Sequence, residues 1–317
     1  MNDYIVGIDI GGTMIKGASF DTGGGLLRKE ETSTQAEKGP EKLIENIVSL
    51  AHLLQTGNDK TSAMGIGIAG VLNKDRTVLL ESPNLPLINN LPLKKLLESE
   101  LNIPVFLEND ANVAALGELW AGDGKGLDNF LLLTLGTGIG SGLILGGSLW
   151  TGETGKAGEF GHVIVNPQGA QCGCGKKGCL EAHSSGSAMT RMAREALAKG
   201  RDSSLQNLYK DNPDALTPKA IYTEAKNGDA LCLDIFQEAA RFLAIAISDV
   251  NNLLDIHNFI IGGGVSKAYH IFEGGLRGEV EKKVFNVSRD KIRITISKLG
   301  NDAGVFGAGY LAKQGRE

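Results

Sequence analysis

Apolar and polar positions alternate from Tyr4 to Ile10, the period of a strand with one buried face; the alternation stops at Gly11-Gly12-Thr13 and resumes from Met14 to Phe20. Gly23-Gly24-Gly25 then predicts a hairpin loop, with a third strand over Leu26–Thr32. From Pro40 to Gln55 the period changes: Leu43, Ile44, Ile47, Leu50, Ala51 and Leu54 form a helical stripe that starts at Pro40. Ala63–Ala69 predicts a strand, and the Pro and Asn signals of residues 70–92 predict a loop. A helix over Leu93–Leu101, a strand over Pro104–Glu108 and a helix over Asp110–Trp120 complete an α/β run.

The pattern then repeats its opening. Phe130–Leu135 predicts a strand, Gly136-Thr137-Gly138-Ile139-Gly140 a glycine turn, and Ser141–Gly146 a second strand, so the strand–glycine turn–strand unit of Asp9–Phe20 occurs twice. Two copies imply a duplicated architecture with two phosphate-type loops. Residues 158–182 are expected to be loop, with helices at Ser184–Lys199, Thr217–Asn227 and Ala230–Leu254 after it. The buried strand Asn258–Ile261 ends in Gly262-Gly263-Gly264, ahead of a helix near 267–284, a strand at Ile292–Ser297 and a closing helix at Asp302–Lys313.

Composition narrows the function classes. A chain of 317 residues predicts about two domains at ~150 residues each. The 32 basic and 37 acidic residues leave a net charge of −5, and no basic run exceeds two residues, which disfavours a nucleic-acid surface. The start MNDYIVGIDIGG has no basic n-region, and the most apolar helical stretch carries Asp234, Glu238, Arg241 and Asp249. Neither a signal peptide nor a membrane span is therefore expected, and the expected location is the cytoplasm.

Several short segments carry candidate chemistry. In Asp9-Ile10-Gly11-Gly12-Thr13 the glycines let backbone N–H groups approach a phosphate, Thr13 adds a donor, and Asp9 suits Mg²⁺ directly or through water. Taken alone, the segment is equally an ordinary hairpin with glycine at positive φ. The second loop, with Thr137 and Gly138, strengthens the phosphate reading, and Gly262-Gly263-Gly264 would admit a flat ligand or simply enter a helix. Glu108-Asn109-Asp110 joins a strand to a helix, where a carboxylate suits a general base and Asn109 a sugar hydroxyl, although Asn and Asp also serve as plain helix caps.

The cysteines are the most specific signal. His162 with Cys172, Cys174 and Cys179 is a complete Cys₃His set for a structural Zn²⁺, and Cys232 reads as a buried apolar residue. Zinc on one ring nitrogen of His162 leaves the other as an N–H donor beside the acceptors Glu159 and Glu181, a lining suited to several hydroxyl groups. His183 has no evident partner.

Together these residues resemble the ROK family (repressor, open reading frame, kinase) of the sugar-kinase/Hsc70/actin superfamily, most specifically in the run from Gly161 to Glu181. The resemblance implies two α/β domains of ribonuclease H-like fold with a central cleft: a small domain over 1–112, completed by a helix at about 302–317, and a large domain over 113–301 with the zinc loop. It implies MgATP held by Asp9, Gly11, Gly12, Thr13, Thr137 and Gly138, with Gly262, Gly263 and Gly264 near adenosine. Asp110 would be the catalytic base, Asn84, Asn109, Glu159, His162 and Glu181 the sugar ligands, and the Cys₃His set the zinc site. The pattern is most similar to bacterial ATP-dependent glucokinases; N-acetylmannosamine, N-acetylglucosamine and fructose kinases share the motifs, and polyphosphate is an alternative donor. A homodimer or homotetramer is implied as well. Family repressors add an N-terminal helix-turn-helix, for which a first strand beginning by Tyr4 leaves no room, so a kinase is expected rather than a sugar-sensing regulator. An actin- or chaperone-type ATPase would have no use for Glu159, His162 and Glu181.

Overall fold

The computed structural model describes residues 3–55, 60–85 and 87–316; Pro86, inside the expected loop of 70–92, and Glu317, at the end of the expected closing helix, lie outside the described residues. The chain opens with strands β1 (Asp3–Ile10), β2 (Met14–Asp21) and β3 (Leu26–Ser33), helix α1 (Pro40–Leu53) and strand β4 (Lys60–Ile68). Short strands β5 (Val71–Leu72) and β6 (Leu79–Glu81) precede α2 (Leu93–Leu101), β7 (Val105–Asn109) and α3 (Asp110–Ala121). Strands β8 (Phe130–Leu135), β9 (Ile139–Leu145) and β10 (Ser148–Leu149) follow, then helices α4 (Glu181–Ser184), α5 (Gly186–Ala198), α6 (Gln206–Asp211), α7 (Pro218–Lys226) and α8 (Ala230–Leu254). The chain ends with β11 (Asn258–Gly262), α9 (Tyr269–Glu281), α10 (Asn286–Arg289), β12 (Arg293–Ile296) and α11 (Ala303–Arg316).

The two expected copies are visible as two five-stranded sheets of the same connectivity, in the orders β3-β2-β1-β4-β7 and β10-β9-β8-β11-β12. Each copy begins as an antiparallel meander and adds its later strands across the first. The chain divides into two compact units, 1–132, 142–158 and 297–317 in one and 133–141 and 159–296 in the other, so the division runs through β8 and β9 and leaves β10 in the first.

In the first unit β1 pairs antiparallel with β2 and parallel with β4, and β4 pairs parallel with β7. The register aligns Ile10 with Ile68 and Ile68 with Asn109, so three parallel strands end at one edge. That edge is where α/β sheets bind ligands. One face of the sheet is covered by α1 and α2, whose Leu43, Ile47, Leu50, Leu93 and Leu97 join Val6, Ile8 and Ile66 in the core. The other is covered by α11. Its contact is so close that a Cβ on Gly7 would lie 2.3 Å from the Val305 carbonyl, one on Gly65 1.9 Å from that of Ala308, and one on Gly307 1.6 Å from that of Val113 in α3.

Some expectations needed correction. The loop at 70–92 contains the β5–β6 hairpin, organised by Asn73: its Oδ1 accepts the N–H groups of Thr77 and Val78 at 2.8 and 3.0 Å, and Arg76 turns to a φ of 53°. The second glycine turn is shorter than expected, because Ile139 and Gly140 already belong to β9. Cys232 lies buried in α8, and no described helix is long and apolar enough to cross a membrane.

Candidate active site

At the common edge of the first sheet, the Gly11 N–H donates to Met14 O at 3.0 Å, closing the β1–β2 turn, and Thr34 Oγ1 donates to Gly11 O at 2.8 Å. Neither Gly11 nor Gly12 takes a positive φ, so an ordinary left-handed hairpin turn does not explain them. Gly12 sits close to the loop instead: a Cβ there would lie 3.2 Å from the Cβ of Asn84, a tight contact.

Asp9 stands at the end of β1, across from Lys16 and packed so closely on α11 that a Cβ on Gly304 would lie 2.5 Å from its Oδ2. Burial and the charge of Asp110 push its carboxyl up to about 6, against a smaller opposing effect of Lys16. A buried carboxylate raised by a second one nearby is stabilised by a hard divalent cation, so Asp9 fits Mg²⁺.

The β7–α3 junction separates two roles that the amino-acid types alone left joined. Asn109 is the helix cap: its Oδ1 accepts the N–H groups of Ala111 and Asn112 at 3.0 and 3.4 Å. Asp110 is the first residue of the helix, where a negative charge is favoured by the helix dipole. Glu108 braces the junction from inside. It is 5% exposed, and its Oε1 accepts from Asn109 N–H at 2.8 Å and Asn112 Nδ2 at 3.0 Å.

The second unit gathers the remaining candidates. Gly136 N–H donates to Gly138 O at 2.9 Å, and Gly136 O accepts from Gly186 N–H at 2.8 Å, which brings the start of α5 onto the loop. Ser185 caps α5, accepting from Ala188 N–H at 3.1 Å. Glu181 reaches under the same loop: its Oε2 accepts from Ile139 N–H at 2.9 Å, and a Cβ on Gly138 would lie 2.3 Å from that oxygen. In the glycine triplet, Gly262 ends β11, and Gly263, at φ 82°, packs onto the backbone of Leu135 where a Cβ would meet its carbonyl at 2.4 Å. Gly264 lines a cavity.

That cavity has a volume of 1140 Å³ and is bounded by Gly136, Thr137 and Gly264. Met189, Tyr222, Phe236 and Val265 give it apolar and aromatic surface, while Lys219 and Lys267 supply cations. A flat base and a polyphosphate both find matching surface there. These lining residues come from separate helices of ordinary composition. Thr217-Pro218, a helix-start signal, is the one local feature that marked their neighbourhood.

The Cys₃His residues lie together, with all four ligand atoms within 4.8 Å of one another. Cys172 Sγ is 3.7 Å from His162 Nδ1 and Cys174 Sγ 3.7 Å from Cys179 Sγ, with no disulfide between them. Ligand–ligand edges of roughly 3.5–3.8 Å follow from tetrahedral geometry at the usual Zn–S and Zn–N lengths, so the set fits zinc. Positive φ at Gly175 and Gly178 folds the loop, and a Cβ on Gly178 would lie 1.6 Å from Asn166 O; Gly173 meets no such limit. Burial and the neighbouring thiols push Cys179 up to about 12, burial raises Cys172, and the Lys176 backbone N–H lowers Cys174. A bound cation would reverse the first two. Glu159 is exposed and precedes the short 3₁₀ turn Phe160–His162. His183 is a core side chain packed at a tilt against Phe242, ring centroids 4.1 Å apart, its pKa lowered by burial.

Asp9, Gly11–Thr13, Asn84, Asn109 and Asp110 thus share one sheet edge of the first unit, and Thr137, Gly138, Glu159, His162, Glu181, the three cysteines and Gly262–Gly264 belong to the second. A residue with no sequence signal, Arg76, joins the first set through Glu108.

This is the mixed α/β architecture of the actin-like sugar kinases, and comparison with known proteins agrees. The ROK family profile matches residues 5–315. The chain is 38% identical over 316 residues to a glucokinase of Halalkalibacterium halodurans, covering 98% of this chain and 95% of that one. It is 31% identical over 309 residues to an N-acetylmannosamine kinase of Shigella flexneri, covering 98% of each. The crystal structure of a ROK family glucokinase from Streptomyces griseus with glucose and AMPPNP matches with a TM-score of 0.82 at 35% identity, covering 98% of this chain and 99% of that one. The chain belongs to the ROK family.

Proposed function

We propose that this protein transfers the γ-phosphoryl group of MgATP to the 6-hydroxyl of glucose, with Asp110 as the general base. The class, an ATP-dependent kinase of the hexokinase type, follows from end-to-end similarity to glucokinases. The observation that supports the base reading is the place of Asp110, a carboxylate on the first residue of α3 at the shared edge of the parallel strands, directly after the cap Asn109 and close enough to Asp9 to raise it.

The step balances simply. Asp110 accepts the proton of the 6-hydroxyl as that oxygen bonds to the γ-phosphorus, and the bond from phosphorus to the β–γ bridging oxygen breaks, its electron pair leaving with ADP. Such transfers depend mainly on positioning and on stabilising charge at the phosphoryl oxygens. The backbone N–H groups of Gly11–Thr13 and of the Thr137-Gly138 loop, with the start of α5, supply that stabilisation. Magnesium bound with ATP would neutralise phosphate charge, and Asp9 is the residue to hold it, directly or through water. In the second unit the cavity beside Gly264 takes the adenosine. Asn84, Asn109, Glu159, His162 and Glu181 accept and donate to the sugar hydroxyls. Because His162 turns Nδ1 to the cysteine sulfurs, Nε2 is its donor to a hydroxyl. The Cys₃His set holds a structural zinc.

A second reading, an N-acetylmannosamine kinase, is supported by the relative of that activity. A coupled ADP-release assay over glucose, mannose, fructose, N-acetylglucosamine and N-acetylmannosamine decides between them. The highest kcat/KM is expected for glucose; a much higher value for N-acetylmannosamine would replace the substrate, and no hexose-dependent ADP release would remove the kinase reading.

A further inference from the structure

Arg76 sits at the tip of the β5–β6 hairpin and makes two contacts distant in sequence. Its Nε donates to Glu108 Oε2 at 2.8 Å, and its Nη2 donates to the Gly155 carbonyl at 2.9 Å. The pair is well sheltered, with side chains 19% and 7% exposed. Its surroundings are built to hold it. Asn73 fixes the turn, accepting the Arg76 N–H on its carbonyl at 3.0 Å, and Arg76 takes a φ of 53°, which few non-glycine residues adopt. At the far end, Gly155 has a φ of 78°, and a Cβ there would lie 2.8 Å from Arg76 Nη1. The guanidinium and the glycine fit each other.

The Glu108 carboxylate that Arg76 neutralises spends its other oxygen on Asn109 N–H and Asn112 Nδ2, the residues on either side of Asp110 and Ala111. Gly155 lies in the turn that runs on, four residues later, to Glu159. One side chain therefore braces the segment presenting the base and the segment leading to a sugar ligand. A fork of donors does this; a point charge would make one contact and lose the other.

We propose that Arg76 is a positioning residue for phosphoryl transfer, holding Glu108 at the β7–α3 junction and the 152–158 turn at Gly155 so that Asp110 meets the sugar hydroxyl in reactive geometry. The proposal rests on the reading of Asp110 as the base.

The test uses the full-length protein with Arg76→Met, Arg76→Lys and Asp110→Asn, measuring kcat, KM for glucose and ATP, and melting temperature. Arg76→Met is expected to lower kcat about 10- to 100-fold with little change in KM for ATP. Arg76→Lys keeps one contact and loses the other, so kcat should fall by a smaller factor. If Arg76→Met does not fold, Arg76→Lys is read alone, and wild-type kcat in it overturns the proposal. A folded Arg76→Met with wild-type kcat, or with kcat and the KM for ATP changed together in step with a lower melting temperature, overturns it as well. Should Asp110→Asn keep normal turnover, the base reading on which the proposal stands fails instead; should Asp110→Asn collapse while both Arg76 variants stay normal, the base stands and Arg76 has no such role.

Discussion

Glu181 accepts the Ile139 N–H on Oε2 at 2.9 Å while Cys172 Sγ lies 3.8 Å from its Oε1. A single carboxylate thus links the cysteine cluster to the loop after β8, and any change in the cluster reaches that loop in one step. Glu181→Gln retains an acceptor for Ile139 and loses the charge. We expect the glucose KM to rise about 10- to 100-fold, the scale of a lost charged hydrogen bond, with a smaller change for ATP. Steady-state kinetics with both substrates varied checks it.

The zinc reading predicts one ion per chain in protein purified without chelator. Cys174→Ser should lower metal content and raise the glucose KM, because the ring of His162 loses its fixed partner. Metal analysis that finds none would end the assignment. The unfolding midpoint should also drop on prolonged chelation, by less than the ~10–16 kcal/mol typical of finger peptides, because here a large core persists without the ion.

Asp110→Asn should cut kcat by ~10²–10⁴. The cap contacts, which belong to Asn109, stay in place in that variant. Asn109→Ala is the converse, a stability loss of about 0.5–2 kcal/mol. Thermal melts and turnover on the two variants separate base from cap.

Asp9 carries a pH signature. With its carboxyl raised to about 6 from an ordinary 3.8, the folded protein binds this proton more tightly than the unfolded chain does. Ionised Asp9 is therefore a cost to the metal-free fold above pH 6, relieved as pH falls from 6 toward 4. Asp9→Asn should be the more stable protein at pH 7.5 without Mg²⁺, by ~1–3 kcal/mol, and the gap should close near pH 4. MgATP affinity should follow the opposite course, weakening in wild type below pH 6. Denaturation at several pH values with and without Mg²⁺ tests both signs; a wild type more stable than Asp9→Asn at pH 7.5 in the absence of metal would contradict the argument.

Gly307→Ala places a Cβ where the Val113 carbonyl already stands, 1.6 Å away. Neither helix backbone can yield cheaply, so a loss of about 1–3 kcal/mol or more is expected by chemical denaturation.

Much of this was legible in the amino-acid order, and the reasons differ by element. The paired strand–glycine–strand units were readable because alternation and glycine breaks are local signals, and the cysteine cluster because its ligands lie within eighteen residues, from His162 to Cys179. The β5–β6 hairpin was not: strands of two and three residues carry no period, and the side chain of Asn73 makes the turn. The cap at the β7–α3 junction could have been Asn109 or Asp110, both good capping residues, until the backbone showed which comes first in the helix. Arg76 gave no hint, since its partners stand 32 and 79 residues away. Gly263 also packs onto the backbone of Leu135, a contact that depends on which strand lies beside it.

The glycine contacts of α11 have a consequence for how the chain is made. Strands β1, β4 and β7 are all synthesised by Asn109, yet the helix that covers one face of their sheet begins only at Ala303. While the intervening residues emerge, the backbone of Gly7 and Gly65 faces no partner, and a newly made first unit is a half-covered sheet. Such a surface suits a chaperone or a misplaced strand until α11 arrives. Moving α11 ahead of β1 by circular permutation should therefore shorten this exposed interval and reduce aggregation during expression.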